Sequence, residues 1–251
     1  MVVANWKMNP QTLEEAKKIF GSIKKIAQKT KNIEVIVCSP FLYLPYLIKQ
    51  NTIKNLYFGS QNISTEEKGA YTGEISVSMI KNIGAKYSIV GHSERRAMGE
   101  TNEVIRKKIT RAFLNNIIPI LCIGERERDG DGSYLGFLKQ QLKECLSGIE
   151  KRDLLGMIIA YEPIWAIGKS YKESMNPTDI HEMTLIIKKI AGEIFGKDIA
   201  NSFKILYGGS VEPENAPSIL EYGNVDGFLV GHASLDPIQF SQILKSADVK
   251  R

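Results

Sequence analysis

Short apolar segments alternate with amphipathic segments along the whole chain of 251 residues. The apolar segments show little polar–apolar alternation, which is typical of strands in a parallel sheet covered on both faces. Eight strands are predicted, at Val2–Asn5, Glu34–Ser39, Leu56–Ser60, Tyr87–Gly91, Ile118–Ile123, Met157–Tyr161, Lys204–Tyr207 and Gly227–Val230. Helices are predicted between and after them, at Thr12–Lys29, Phe41–Gln50, Ser76–Ile83, Asn102–Asn115, Tyr134–Leu146, Thr178–Phe195, Pro213–Glu221 and Ile238–Lys245.

Eight βα units in a chain of this length predict an α/β protein, a single-domain (β/α)8 barrel over residues 1–251. No Pro- or Ser-rich linker and no change in composition marks a second domain. The structural alternative is a doubly wound open sheet, which normally has a ligand loop after one or two strands only. Because polar residues and glycines follow nearly every strand, the preferred interpretation is one site at the mouth of a closed barrel.

The composition is that of a soluble globular protein, with 43% hydrophobic residues and no apolar run long enough to span a membrane. The segment Met1–Lys7 lacks the pattern of a secretory signal, so a cytoplasmic location is expected. The net charge of +5 is spread over helix faces, which does not predict nucleic-acid binding. Cys38, Cys122 and Cys145 have no CxxC spacing and predict neither a disulfide framework nor a zinc site.

A single carboxylate, Glu162, follows the sixth predicted strand and is followed in turn by Pro163, Trp165 and Gly168. A base on a fixed strand end, beside a loop that moves as a body, suits proton abstraction beneath a lid that excludes water. For this segment alone, a surface Glu that caps the next helix is the simpler interpretation. The residues after the other strands favour the catalytic one.

His92 follows the fourth predicted strand and precedes Ser93, a candidate helix cap. A helix that begins there would direct its positive N-terminal end at the imidazole and keep the ring neutral. A neutral imidazole can donate a hydrogen bond to a carbonyl oxygen. A lone histidine is more often structural, so this assignment depends on its neighbours at the barrel mouth.

Asn5 and Lys7 flank Trp6 at the end of the first strand, and alternation makes both side chains point the same way. An ammonium group in the mouth would bind an anionic substrate and stabilise a developing enolate oxygen. Glu94 is the expected counter-charge of Lys7.

Two segments with glycine-rich turns, Leu206–Val211 and Phe228–Ser234, lie at the ends of the last two strands. Main-chain N–H groups in such turns bind phosphate, and these two loops form the usual phosphate site of a barrel. A phosphorylated substrate is therefore expected.

Taken together, these motifs resemble the triosephosphate isomerase family over the whole chain. The matching motifs are Ala4–Asn9, Gly69–Glu74, Val90–Arg96, Cys122–Glu125, Ala160–Gly168, Tyr207–Ser210 and Gly227–Gly231. This family is the established example of a carboxylate base that works with a neutral histidine under a closing loop. The roles below are what the resemblance implies.

The implied activity is interconversion of dihydroxyacetone phosphate and D-glyceraldehyde 3-phosphate through an enediolate, in glycolysis and gluconeogenesis. The implied catalytic residues are Glu162 as base, His92 as neutral electrophile and proton shuttle, Lys7 and Asn5 for the enediolate, Ser93 as holder of Glu162 in the open state, and Glu94. The implied phosphate-binding residues are Gly168, Gly209, Ser210, Gly231 and His232. No cofactor and no metal are needed, because a carboxylate base and an oxyanion site suffice for enolisation.

The resemblance also implies a homodimer in which the loop Gly69–Glu74 enters the other subunit. Thr72 would then lie near the partner's Asn5 and the partner's Glu94. The sequence by itself supports only a glycine-flanked loop with an exposed aromatic residue.

Three segments depart from the family pattern. The segment Lys169–Pro177 is about two residues longer than usual, His232 replaces a usual glycine, and Arg126–Gly132 is shorter and more charged. These departures leave open an isomerase for a slightly larger substrate, such as a tetrulose phosphate. A catalytically silent phosphosugar-binding barrel and a Schiff-base aldolase are weaker alternatives, since the aldolase would need a lysine where this chain has Glu162.

Overall fold

Eight parallel strands close into a barrel in chain order in the computed structural model, which describes residues 1–249. The strands are β1 (Val2–Asn5), β2 (Val35–Cys38), β3 (Leu56–Ser60), β4 (Tyr87–Val90), β5 (Ile118–Ile123), β6 (Ile158–Tyr161), β7 (Lys204–Tyr207) and β8 (Gly227–Val230). β8 pairs with β1, so the predicted closed (β/α)8 barrel is confirmed and the open sheet is wrong. The last two residues of the predicted domain lie outside the described residues.

Helices surround the barrel on the outside. They are α1 (Leu13–Ala27), α2 (Leu44–Gln50), α3 (Val77–Asn82), α4 (Ser93–Ala97), α5 (Asn102–Leu114), α6 (Ser133–Cys145), α7 (Lys151–Leu154), α8 (Pro177–Phe195), α9 (Lys197–Ser202), α10 (Ala216–Tyr222) and α11 (Pro237–Ala247). The sequence did not predict α7 and α9, which are too short to show a helical period. Within residues 1–249, no helix has both the length and the apolar character needed to cross a membrane.

Each long helix buries one face against the barrel. In α1 the buried residues are Ala16, Phe20, Ile23 and Ala27, at the spacing of a helix stripe. The helix begins where the Thr12 hydroxyl accepts the Glu15 N–H at 3.2 Å, a cap that contributes about 1 kcal/mol.

The strands carry apolar side chains on both faces, which form two layers of core. The outer layer packs between the strands and the helices. The inner layer fills the barrel and consists of Val3, Ile36, Cys38, Tyr87, Ile89, Ile120, Cys122, Ile158, Ala160, Leu206 and Leu229. This double burial explains why the strands read as continuous apolar runs.

The alternation of the strands continues past their ends and positions the site. Val3 belongs to the inner layer, so Asn5 two residues later also faces the barrel axis. Ala160 and Glu162 have the same relation at the end of β6. The Glu162 N–H donates to the Ile123 carbonyl at 2.8 Å, which ties the base to the end of β5.

A glycine is required where β5 and β6 leave the sheet. A Cβ built on Gly124 would overlap the main-chain carbonyl group of Glu162. We expect Gly124→Ala to lower the free energy of unfolding by about 2–3 kcal/mol, because backbone must move to remove the overlap. Urea unfolding followed by circular dichroism measures this change.

The matched control is Gly136→Ala. Gly136 is exposed on α6, and an added Cβ would meet no atom within 4 Å among the described residues. Alanine is the better helix former, so this variant should gain about 0.5–1 kcal/mol. Equal stability of the two variants would contradict the packing at Gly124.

Candidate active site

The carboxyl ends of the strands surround a cavity of about 370 Å³. Most of the predicted site residues line it, namely Asn5, Lys7, His92, Glu162, Gly168, Gly209, Ser210, Gly231 and His232. Ser93 and Glu94 do not line this cavity, but each contacts a residue that does. Closure of the barrel therefore brings residues from both ends of the sequence into one site.

Glu162 is 2% exposed and directs its carboxylate toward His92 and Ser93. Its Oε2 accepts the Ser93 main-chain N–H at 2.9 Å. Its Oε1 lies 3.2 Å from the His92 Nε2 and has no aligned hydrogen-bond donor among residues 1–249. One oxygen of this buried carboxylate is thus held by the main chain, while the other stays available to accept a proton.

His92 caps the N-terminus of α4, whereas the sequence predicts Ser93 for that role. The His92 Nδ1 accepts the Glu94 N–H at 3.2 Å, and Ser93 is the first residue of the helix. An imidazole nitrogen that accepts a hydrogen bond carries no proton, so the neutral ring bears its proton on Nε2. That N–H points toward the cavity side, where Glu162 lies. The contact at Nδ1 therefore leaves Nε2 as the ring nitrogen that donates on the side of Glu162.

Lys7 occupies a left-handed backbone conformation with φ of 53°, which costs about 1–2 kcal/mol for a residue with a side chain. Its N–H donates to the Asn5 Oδ1 at 3.1 Å, and its Nζ lies 2.6 Å from the Glu94 Oε1. Both charged side chains are partly exposed, so this ion pair contributes little stability. Its effect is to hold the ammonium group at the cavity wall.

Gln61 braces this strained segment and was not assigned a role from the sequence. Its Nε2 donates to the carbonyl oxygens of Lys7 and Cys38 at 2.8 and 3.0 Å. A third, longer contact of 3.4 Å reaches the Asn5 Oδ1. The only signal in the sequence was that a polar residue directly follows β3.

Glu125 anchors the segment after Glu162 and was also recognised only as part of a motif. Its Oε1 accepts the Tyr161 hydroxyl at 2.7 Å and the Trp165 indole N–H at 3.1 Å. Burial, with the nearby Glu125 carboxylate, raises the pKa of Tyr161 and keeps its hydroxyl a donor. Arg128 approaches the same oxygen at 3.3 Å. The charged loop after β5 thus contacts the segment that follows Glu162.

The segment that the sequence predicts as a lid begins with the 3₁₀ turn Ile164–Ala166 and continues to the cap of α8 at Asn176. The Ser210 hydroxyl donates to the Ala166 carbonyl at 3.0 Å, which links the lid to the turn after β7. At the far end of the lid, the Asn215 amide donates to the Ser174 hydroxyl at 3.3 Å. The lid therefore has contacts at both ends, although its second half departs from the family pattern.

The glycines of the predicted phosphate side pack closely. A Cβ on Gly209 would overlap the Tyr207 hydroxyl, and a Cβ on Gly231 would lie 3.4 Å from the Lys7 Cε. Gly168 has φ of 76°, a conformation that glycine adopts without strain. These glycines bring main chain to the wall of the cavity that His92 also lines.

Comparison with known proteins identifies the family. A profile of the family described as triosephosphate isomerase matches residues 1–247. The triosephosphate isomerase of Dictyoglomus thermophilum is 40% identical, with 98% of each chain covered. Those of Dictyoglomus turgidum and Moorella thermoacetica are 39% and 38% identical, with 98% and 97% of each chain covered. The chain thus belongs to the triosephosphate isomerase family and is an isomerase.

Proposed function

We propose that this isomerase interconverts dihydroxyacetone phosphate and D-glyceraldehyde 3-phosphate through an enediolate, as a step of glycolysis and gluconeogenesis. The observation that carries the proposal is the contact of 3.2 Å between the Glu162 Oε1 and the His92 Nε2 in a cavity that Lys7 also lines. A base, a neutral donor and a cation at one small cavity are what an enolisation needs. The names of the relatives support the same substrate pair.

In the proposed reaction, Glu162 takes a proton from C1 of dihydroxyacetone phosphate. The C–H electrons form the C1–C2 double bond, and the carbonyl electrons move to the C2 oxygen. The His92 Nε2–H donates to that oxygen and transfers protons between the two oxygens of the enediolate. Glu162 then returns its proton to C2. General acid–base catalysis of this kind contributes about 10²–10⁴-fold.

Lys7 and Asn5 stabilise the negative charge of the enediolate in this scheme. The Glu94 carboxylate and the Asn5 amide already position the Lys7 ammonium and main chain before substrate binds. A preorganised cation needs no rearrangement when charge develops on the substrate, which is the condition for strong electrostatic catalysis.

Glu162 must leave the Ser93 N–H before it reaches the substrate carbon. We propose that the lid carries this movement, because Trp165 and Ala166 follow the base within four residues and contact Glu125 and Ser210. Gly168, Gly209, Ser210, Gly231 and the main chain of His232 would bind the phosphate under the closed lid. Exclusion of water then protects the enediolate from loss of phosphate.

A homodimer is proposed for the face beside the site. Met8, Leu42 and Met98 are 85%, 85% and 77% exposed and line a second cavity that shares Lys7 with the first. The loop of residues 69–74 exposes Tyr71, and Thr72 lies at its tip. Insertion of this loop into the second cavity of another subunit would cover these apolar side chains.

The cytoplasmic location expected from the sequence stays a prediction.

Shortening the proposed base tests its role. Glu162→Asp withdraws the carboxylate by about one methylene, and we expect kcat for triose phosphate to fall by about two orders of magnitude or more. The control, Glu182→Asp, makes the same change at an exposed position of α8 and should leave kcat unchanged. Wild-type turnover in Glu162→Asp would remove Glu162 from the mechanism.

Substrate size separates the main proposal from the isomerase of a larger ketose. Lys169 and His232, two of the departures from the family pattern, both line the cavity. We expect kcat/KM of about 10⁷–10⁸ M⁻¹s⁻¹ for glyceraldehyde 3-phosphate and a much lower value for a four-carbon ketose phosphate. A preference for the four-carbon substrate would favour the second function.

Borohydride in the presence of substrate should trap no adduct, because the mechanism forms no Schiff base.

A charged residue on the exposed apolar face tests the dimer. In sedimentation, we expect the wild-type protein to have twice the mass of one chain. We expect Leu42→Glu to have the mass of one chain and to lose activity, because the glutamate would be buried in the interface. Leu155→Glu is the control, since Leu155 is 59% exposed near the start of β6, at the opposite end of the barrel. A wild-type monomer with full activity would contradict the proposed assembly.

A further inference from the structure

The candidate active-site cavity contains charged side chains that the proposed mechanism does not use. Lys169 after β6, Glu212 after β7 and His232 after β8 line it together with Lys7 and Glu162. His232 is exposed, so its ring is free to meet a ligand in the cavity. The mechanism above gives this residue only a main-chain N–H.

The position of His232 is fixed by its neighbours. It begins the 3₁₀ turn His232–Ser234, whose hydrogen bond runs from the Ser234 N–H to the Gly231 carbonyl at 2.9 Å. A Cβ on Gly231 would lie 3.9 Å from the Lys7 Nζ. His232 therefore directly follows a glycine that lies beside the Lys7 ammonium group, on the side of the cavity that the glycine turns form.

A fixed carboxylate, Asp236, follows His232 by four residues in the chain. The Asp236 Oδ1 accepts the N–H groups of Ile238 and Gln239 at 2.7 and 3.1 Å, which caps α11. These main-chain N–H groups, with a smaller contribution from the charge of His232, lower the pKa of Asp236. Asp236 is thus an anion whose cap contacts keep it from moving to the phosphate position.

We propose that the imidazole of His232 binds the phosphate group of the substrate and sets the affinity for it as a function of pH. In its protonated form the ring donates a charge-assisted hydrogen bond to a phosphate oxygen. Imidazole is the side chain that ordinarily changes charge near neutral pH. The other charged or titratable groups at this cavity are Lys7, Lys169, His92, Glu162 and Glu212. The inference rests on the proposed function, because it requires a phosphate at the glycine turns.

Inorganic sulfate is the probe, because it remains a dianion over the whole pH range in which imidazole titrates. Its Kd is measured by calorimetry between about pH 5.5 and pH 8 for the wild type and for His232→Gln. We expect wild-type affinity to be highest at low pH and to fall by about fivefold more than that of His232→Gln as the pH rises. His181→Gln is the matched control, since it removes an exposed imidazole from α8, and it should follow the wild type.

Steady-state kinetics provide the second readout. At low pH, KM for glyceraldehyde 3-phosphate should rise in His232→Gln while kcat stays within about twofold, because the ring contacts a part of the substrate that does not react. If His232→Gln fails to fold, His232→Gly keeps the main-chain N–H and is interpreted in the same way.

A Kd ratio between wild type and His232→Gln that stays constant with pH would overturn the inference. The calorimetric titration needs no turnover, so it is independent of the activity assay. If isomerisation is normal but the ratio of the two Kd values is constant, only the role of His232 is rejected and the proposed function stands. Absence of isomerisation in the wild type would reject the proposed function, whatever sulfate does.

Discussion

Pairing of β8 with β1 is the constraint on which the site depends. All strands of the barrel are parallel, so closure places their carboxyl ends around one rim. Asn5 and Glu162 then line one cavity, although no local element connects them. The inner apolar layer holds the strands at a fixed separation, because close-packed interiors resist compression. The positions of the polar groups above that layer are therefore set by packing below them.

Two buried carboxylates at this rim have opposite surroundings. One oxygen of Glu125 accepts hydrogen bonds from three donors, on Tyr161, Trp165 and Arg128, and so holds the start of the segment after β6. Glu162 is held by one main-chain N–H and contacts the His92 ring without an aligned hydrogen bond. A carboxylate with many donors stays in place, whereas one with a single donor is able to move. The difference follows from which neighbours each strand end meets.

Most of the barrel was predictable from the sequence because strand burial on two faces leaves a direct signal in composition. The observed strands differ from the predicted ones only at their ends, where Glu34, Ser39, Gly91 and Met157 fall just outside. Helix starts were less accurate: α2 begins at Leu44 and α10 at Ala216, each three residues later than predicted, because their first residues form turns. Such ends depend on individual hydrogen bonds that a periodic pattern does not contain.

The candidate site was predictable as a set of residue types after strand ends, but its contacts were not. Ser93 was expected to cap α4, whereas the His92 ring is the cap, since the ring nitrogen reaches the Glu94 N–H. Gln61 binds main-chain carbonyl groups of segments remote in sequence, and only the folded barrel brings them together.

The inner layer of the barrel also shields two of the three cysteines from oxidants. Cys38 and Cys122 lie in that layer, and burial raises the pKa of both thiols. A protonated thiol is a poor nucleophile and is oxidised slowly compared with a thiolate. Because the strands enclose both sulfur atoms, oxidants reach them only when the barrel opens. Their rate of chemical labelling therefore measures how often the barrel opens.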